Sequence, residues 1–207
     1  MNLCEGNATW PRNDCFPSVA SAVETAPVLS HHVPSVRGVA NLWPGQDAGS
    51  QQGVDLASYI SGYVDGEGCF NISLSRRPTL CVGWEVRPSL SVSQNGDRSE
   101  VLSLLQRYFG CGTIRPDRSD KTLKWETRSL RPIIDRVLPH FRRHPLLSSK
   151  QKDFELFALI CEAMARGEHR TMCGLSEIVR QAGQMNPSGK RRYLPVQILQ
   201  SLTEMKA

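Results

Sequence analysis

No apolar run in this 207-residue chain approaches the length of a membrane span. Its start lacks a basic segment followed by an apolar one, so export is not expected. Cysteines at zinc or redox spacing are missing too. Cys4, Cys15, Cys69, Cys81, Cys111, Cys161 and Cys173 are scattered and odd in number, and none forms Cys-x-x-Cys. His169 and Cys173 stand four apart without two further ligands, which leaves them a structural or surface role. The cysteines are expected to be reduced, mostly small apolar packing residues, in a reducing compartment. What remains is the composition of a soluble globular protein, long enough for one ordinary domain plus extensions.

Charge is unevenly placed. Residues 1–53 hold only two basic residues (Arg12, Arg37) against four acidic ones (Glu5, Asp14, Glu24, Asp47). The rest of the chain therefore carries a net +7, an excess that suits a polyanionic partner without requiring one. The same first 53 residues lack sustained periodicity and are broken by Pro11, Pro17, Pro27, Pro34 and Pro44, with a polar linker over 45–53. A disordered or weakly ordered extension is expected there.

Order is expected from 54. Residues 55–67 read as an amphipathic helix capped by Asp55, whose carboxylate accepts from first-turn amides. Ala57, Ser58, Ser61 and Gly62 are small enough to let another helix approach, and Gly66 and Gly68 flank Glu67 to allow a sharp exit. Phe70, Ile72 and Leu74 then alternate with polar residues, as do Trp84, Val86, Leu90 and Val92, which predicts two half-buried strands around a loop at 76–83. Pro88 implies an edge position or a bulge in the second. A helix over 97–109 closed by Gly110, a hairpin with arms 113–115 and 122–128, and helices over 130–141, 151–166, 174–183 and 196–205 complete the pattern.

A carboxylate at the end of a rigid helix, beside free backbone carbonyls, suits a hard cation. The segment Ile60-Ser-Gly-Tyr-Val-Asp-Gly-Glu-Gly68 resembles the signature of the LAGLIDADG homing endonucleases, with Ile60 and Ser61 in place of the usual leucine and alanine. The order α-β-β-α-β-β-α from Asp55 is similar to their half-saddle unit. The resemblance implies an α+β fold: an αββαββα half-saddle over 54–193, additional C-terminal helices, and a tail helix within 194–207. Only one signature is present, which in that family implies a homodimer. The motif helix then forms the interface, with Ala57, Ser58, Ser61, Gly62 and Asp65 on it.

The resemblance further implies which residues carry chemistry. Glu67 and the carbonyl of Gly66 would bind Mg2+ or another divalent cation, one set per subunit, at the two scissile phosphates. Gln94 and Arg98 resemble the strand-end pair that organises the water pool, and Lys150, within Leu147-Ser-Ser-Lys150, resembles the lysine beside the scissile phosphate. An arginine at a helix start is often only a surface residue, and a first-turn lysine is often merely solvated. The stretch 174–193 looks like the C-terminal region of intron-encoded members, and its cluster Lys190 to Arg192 either touches phosphates or stays solvated.

Strand alternation assigns a DNA-reading face to Asn71, Ser73, Ser75 and Arg77, to Glu85, Arg87, Ser89 and Ser91, to Thr113 and Arg115, and to Lys124, Glu126 and Arg128. Arg87 and Arg115 are the candidates for bidentate guanine contacts, and Arg76, Arg118 and Lys121 for phosphates. Any single polar strand residue could equally face water. The expected activity is site-specific, metal-dependent cutting of a long, nearly palindromic double-stranded DNA target that promotes intron mobility. Two alternatives stand beside it: a maturase that binds its host intron RNA, and an inactive DNA-binding regulator. The expected setting is a bacterial cytoplasm or an organelle, with no membrane partner.

Overall fold

The computed structural model describes Gly53 and residues 55–117, 122–187 and 189–204. The extension expected over 1–53 lies outside the described residues, except for Gly53, as do Arg118 and Lys121.

Helix α1 (Leu56–Glu67) starts at Asp55, whose side chain accepts from the Ala57 amide at 3.1 Å. Ile60 and Val64 bury one side of the helix completely. The helix runs through Gly66 instead of turning there, and strand β1 (Gly68–Arg76) begins directly after Glu67. Gly68 has ordinary extended dihedrals, so its φ does not demand glycine. Space does: a Cβ at Gly68 would lie 2.5 Å from the Val64 side chain. This close approach swings the chain from helix to strand within one residue.

Strand β2 (Trp84–Asn95) pairs antiparallel with β1 from Gly68↔Val92 to Arg76↔Trp84, with no bulge. Helix α2 (Glu100–Phe109) follows a 3-10 turn and closes on Gly110 in the left-handed region. Strands β3 (Thr113–Pro116) and β4 (Thr122–Thr127) form a hairpin, and the sheet order is β1-β2-β4-β3. β4 pairs only with Leu90 to Asn95 of β2, so the half of β2 that holds Pro88 has a single neighbour. The proline therefore sits at a local edge of a central strand, where its missing N–H leaves no ladder bond unmade.

The segment expected as one helix over 130–141 comes in three joined pieces. They are α3 (Leu130–Pro132), a π-helical turn (Ile133–Val137) and α4 (Leu138–Arg143). The widened turn, in which the Leu138 amide reaches the Ile133 carbonyl, lies directly before Pro139. It relieves the clash and the lost donor that a proline imposes on a regular turn. Helices α5 (Lys150–Ala165), α6 (Met172–Gln184) and α7 (Pro195–Glu204) complete the fold.

The helices cover one face of the sheet. Phe70 at its centre meets Phe141, Phe154 and Phe157 at 5.4, 5.4 and 5.3 Å between ring centroids, and Trp125 stacks on Phe109. The expected inward residues Phe70, Ile72, Val86, Leu90 and Trp125 are all buried, and Leu74 and Ile114 pack against them. Helix α7 belongs to this core, with Ile198 and Leu202 buried and the Trp84 indole donating to Ser201 Oγ at 3.0 Å. No helix among the described residues is long and apolar enough to cross a membrane.

Candidate functional site

The last turn of α1 gathers most of the residues named from the sequence. Glu67 ends the helix, is exposed, and has no hydrogen bond or ion pair among the described residues. Lys150, the first residue of α5, points its ammonium back at the orphan carbonyls of α1, 3.1 Å from Val64 O and 3.4 Å from Gly66 O. A cation there is favoured because the C-terminal end of a helix carries partial negative charge. Gln94 extends from β2 past the point where β1 begins. It hydrogen-bonds the phenol of Tyr63, which lies one turn before Glu67. Burial, then the charges of Glu67 and Tyr59, raise the Tyr63 pKa against the pull of that bond. Glu67, Gly66, Lys150 and Gln94 thus converge. Arg98 is exposed in the turn after β2 and makes no hydrogen bond or ion pair among the described residues.

What holds Lys150 in place is Asp65. Its carboxylate accepts from the Leu147 amide at 3.1 Å, the Ser148 amide at 3.0 Å and the Ser148 hydroxyl. Burial works to raise the Asp65 pKa, but the bonds from Ser148 and Leu147 and the charge of Lys150 outweigh it and hold the group below its ordinary value. Asp65 is therefore committed within its own chain to the segment that leads into α5.

Ser61 does not belong to an exposed helix face, contrary to the sequence expectation. It is buried, donates to the His144 carbonyl at 2.7 Å and lies 3.1 Å from His140 Nε2. Since the single serine proton goes to the carbonyl, His140 must donate from Nε2, and its Nδ1 then accepts from Tyr108 OH at 2.9 Å. Burial, then the charges of His144 and Arg143, lower the His140 pKa to about 4. The ring is neutral and satisfied, and it ties α1 to α2 and α4. Sequence reading missed this group because its members are 79 and 32 positions apart.

The opposite side of α1 is open. Ser58, Tyr59, Gly62 and Gly66 are exposed there, with Ala57 and Tyr63 half-covered. A Cβ at Gly62 would meet nothing within 4 Å, so no contact inside the chain accounts for a glycine in mid-helix, where it costs about 1 kcal/mol relative to alanine.

On the face of the sheet away from the helices, Cys69, Asn71, Ser73, Arg87, Ser89, Ser91, Lys124, Glu126 and Arg128 line one concavity. The cross-strand register adds Thr113, opposite Glu126, Arg115, opposite Lys124, and Ser75, opposite Glu85. The sequence-derived face is therefore a real surface, with two corrections. Ser89 and Ser91 lie buried at its floor. Glu85 and Glu126 are not free acceptors. Glu85 binds Arg77 and Arg87 at 2.9 Å each, while Glu126 binds Arg115 at 2.7 Å and Arg128 at 2.9 Å. Lys124 stands unpaired among the described residues, and its charge and that of Lys150 both reach the Cys69 thiol, whose pKa burial nonetheless raises.

The basic cluster near the end of the chain divides. Arg191 turns inward onto the Gly183 and Met185 carbonyls at the end of α6, whereas Lys190 and Arg192 stay exposed. The described cysteines are free thiols.

A family profile described as LAGLIDADG endonuclease matches residues 60–161. A crystal structure of a homing endonuclease, I-TnaI, is 33% identical with a TM-score of 0.63, over 72% of this chain and 97% of that one. The I-LtrWI LAGLIDADG homing endonuclease, solved bound to its target DNA, is 31% identical with a TM-score of 0.62, over 63% of this chain and 44% of that one. Probable intron-encoded endonuclease 2 of Neurospora crassa is 28% identical over 130 residues, which are 62% of this chain and 29% of that protein. The chain spans between 24% and 29% of the length of the first curated relatives it matches.

Proposed function

Because the chain belongs to the LAGLIDADG endonuclease family, we propose that it acts as a homodimeric, site-specific double-strand DNA endonuclease of the homing type. The observation that carries this reading is the end of α1. A Glu67 carboxylate with no partner among the described residues stands there beside the Gly66 carbonyl, near an ammonium held at 3.1 and 3.4 Å from backbone oxygens. Residues 54–193 are the catalytic domain in this reading, and the helix after 194 packs into it. The intron-encoded names of fungal relatives support a role in intron mobility, with a cytoplasmic or organellar setting.

The donor set decides which cation fits. No cluster of three or more His, Cys, Asp or Glu side chains exists among the described residues. One carboxylate and one carbonyl suit a hard, oxygen-seeking ion such as Mg2+, which keeps waters and binds through few protein ligands plus phosphate. Glu67 and Gly66 O would hold it, and a second copy packed on the open face of α1 would bring its own Glu67 to the same centre. When bound, the ion supplies Lewis-acid polarisation of the phosphate and eases proton loss from a water. The chain's residues supply the rest. Lys150 balances charge that develops on a non-bridging phosphate oxygen, Gln94 orients water, and Tyr63 holds Gln94. The concave sheet lies along the major groove of each half-site, and protein two-fold symmetry predicts a nearly palindromic target.

The test uses the duplex formed by rejoining the sequences that flank the reading frame. With Mg2+ the protein cuts this duplex at one position. Glu67→Gln abolishes cutting and leaves binding within about threefold, because only a metal ligand is lost. Loss of binding together with cutting would make Glu67 structural, and failure of the unaltered chain to cut or bind would end the nuclease reading.

A further inference from the structure

The two acids on the concave face point to a device that neither strand alternation nor family membership supplies. We infer that Glu126 and Glu85 are specificity-determining positioning residues: each clamps two arginines in a set orientation and removes charge that would otherwise favour any DNA sequence. The inference rests on the nuclease reading of the same surface.

Glu126 is 7% exposed, so a base edge cannot reach its carboxylate. Its partners are 52% and 57% exposed and extend outward from it. Arg128 binds side-on, Nε to Oε2 at 2.9 Å and Nη2 to Oε1 at 3.2 Å, while Arg115 approaches Oε2 from β3 through Nη2 at 2.7 Å. The second triad also joins two arginines to one acid but uses a different set of nitrogens. Arg77 and Arg87 bind the two oxygens of Glu85 through Nε, at 2.9 Å each. That contact leaves the terminal nitrogens of both guanidiniums free, and these are the pair that matches guanine O6 and N7.

Clamping has two physical consequences. An arginine side chain gives up about 2 kcal/mol of rotamer entropy when it is immobilised, and a clamped fork has already lost much of that freedom before DNA arrives. In addition, each triad presents a net +1 instead of +2. Non-specific affinity grows with the number of phosphates neutralised, so the acid lowers binding to wrong sequences more than to a sequence that offers guanines where the forks point. Along β2 the triads are separated by the step from Ser91, which faces Glu126, to Glu85. That is six residues, or about 20 Å at the usual strand rise, which matches roughly six base-pair steps.

The experiment is selection by the full-length protein from a duplex pool randomised over the contacted stretch, with binding to mixed-sequence DNA measured across KCl concentrations. The unaltered chain should select guanines at two places about six base pairs apart in each half-site. Glu126→Gln should lose the preference at one place only and keep the other. It should also bind mixed-sequence DNA about tenfold more tightly, with a steeper salt dependence. Glu85→Gln, at a position more exposed than Glu126 (27% against 7%), should lose the other place, so an unfolded Glu126 variant leaves the test standing. Variants that select the same motif with unchanged salt dependence overturn the inference. A parent chain that selects no motif overturns the nuclease reading instead.

Discussion

His140 shows how far one side chain can carry a structural account. Its ring is buried between Ser61 and Tyr108, and its pKa falls from an ordinary 6.5 to about 4 because burial penalises the charged form. In the unfolded chain the same group titrates near 6.5. Between those values the unfolded state binds more protons, so the stability tied to neutral His140 is complete above pH 6.5 and drains away as pH falls towards 4. The span corresponds to about 3 kcal/mol. Denaturant midpoints measured at intervals from pH 7 to 4 should therefore fall more steeply in the unaltered protein than in His140→Gln, whose amide bonds without titrating. Parallel curves would remove His140 as the cause. Arg98 marks the opposite case, since it reaches none of the other named site residues within the chain. A role for it in the proposed reaction would therefore depend on a group outside this subunit, such as a phosphate.

Between elements, the decisive junction is that of α1 with α5. Asp65, in the last turn of α1, receives the two amides and the hydroxyl of the segment that leads into α5, and so sets where Lys150 begins. Hydrogen bonds to a charged acceptor are worth about 1.5–3 kcal/mol in such settings. Asp65→Ala should therefore destabilise the chain by roughly that amount. Amide exchange should accelerate at Leu147 and Ser148, while the sheet amides stay protected. Exchange that rises evenly over the whole chain would mean that Asp65 holds the global fold rather than this junction. The π turn before Pro139 is a second example. A proline that would break a regular helix is absorbed by a wider turn, and Phe141 keeps its place against Phe70.

For the whole molecule, the open face of α1 is where the proposed homodimer would assemble. Tyr59 is exposed beside Gly62, whose missing Cβ would touch nothing within the chain. Both features find a reason if a second α1 packs there. Gly62→Leu should then leave each subunit folded, since the added side chain meets no neighbour of its own chain, yet halve the mass measured in solution. A variant that keeps the mass of the unaltered protein would place the contact between subunits elsewhere. The proposed sharing of a metal between subunits fits the lack, among the described residues, of any cluster of three or more His, Cys, Asp or Glu side chains. In the proposed homodimer, a symmetry mate packed on the open face of α1 would bring its own Glu67 to the same centre.

Local periodicity made the elements readable from the residues alone, because alternation and helical spacing are properties of neighbours in sequence. The strand order of faces from Phe70 to Trp125, the Asp55 cap, and the helix leading to Glu67 needed nothing more. Glu85 and Arg87, two apart on one strand, were likewise bound to share a face. Pairings between distant segments were another matter. Glu126 meets Arg115 only because β3 and β4 take one register, and Asp65 meets Ser148 only because α5 docks on the end of α1. Ser61 looked like an interface residue because small size is all a sequence displays, whereas the side on which it is buried depends on where α4 lies. Chemistry and local form were thus written in the order of residues, while the partner of each charge was settled by packing, which brings together groups that no spacing rule connects.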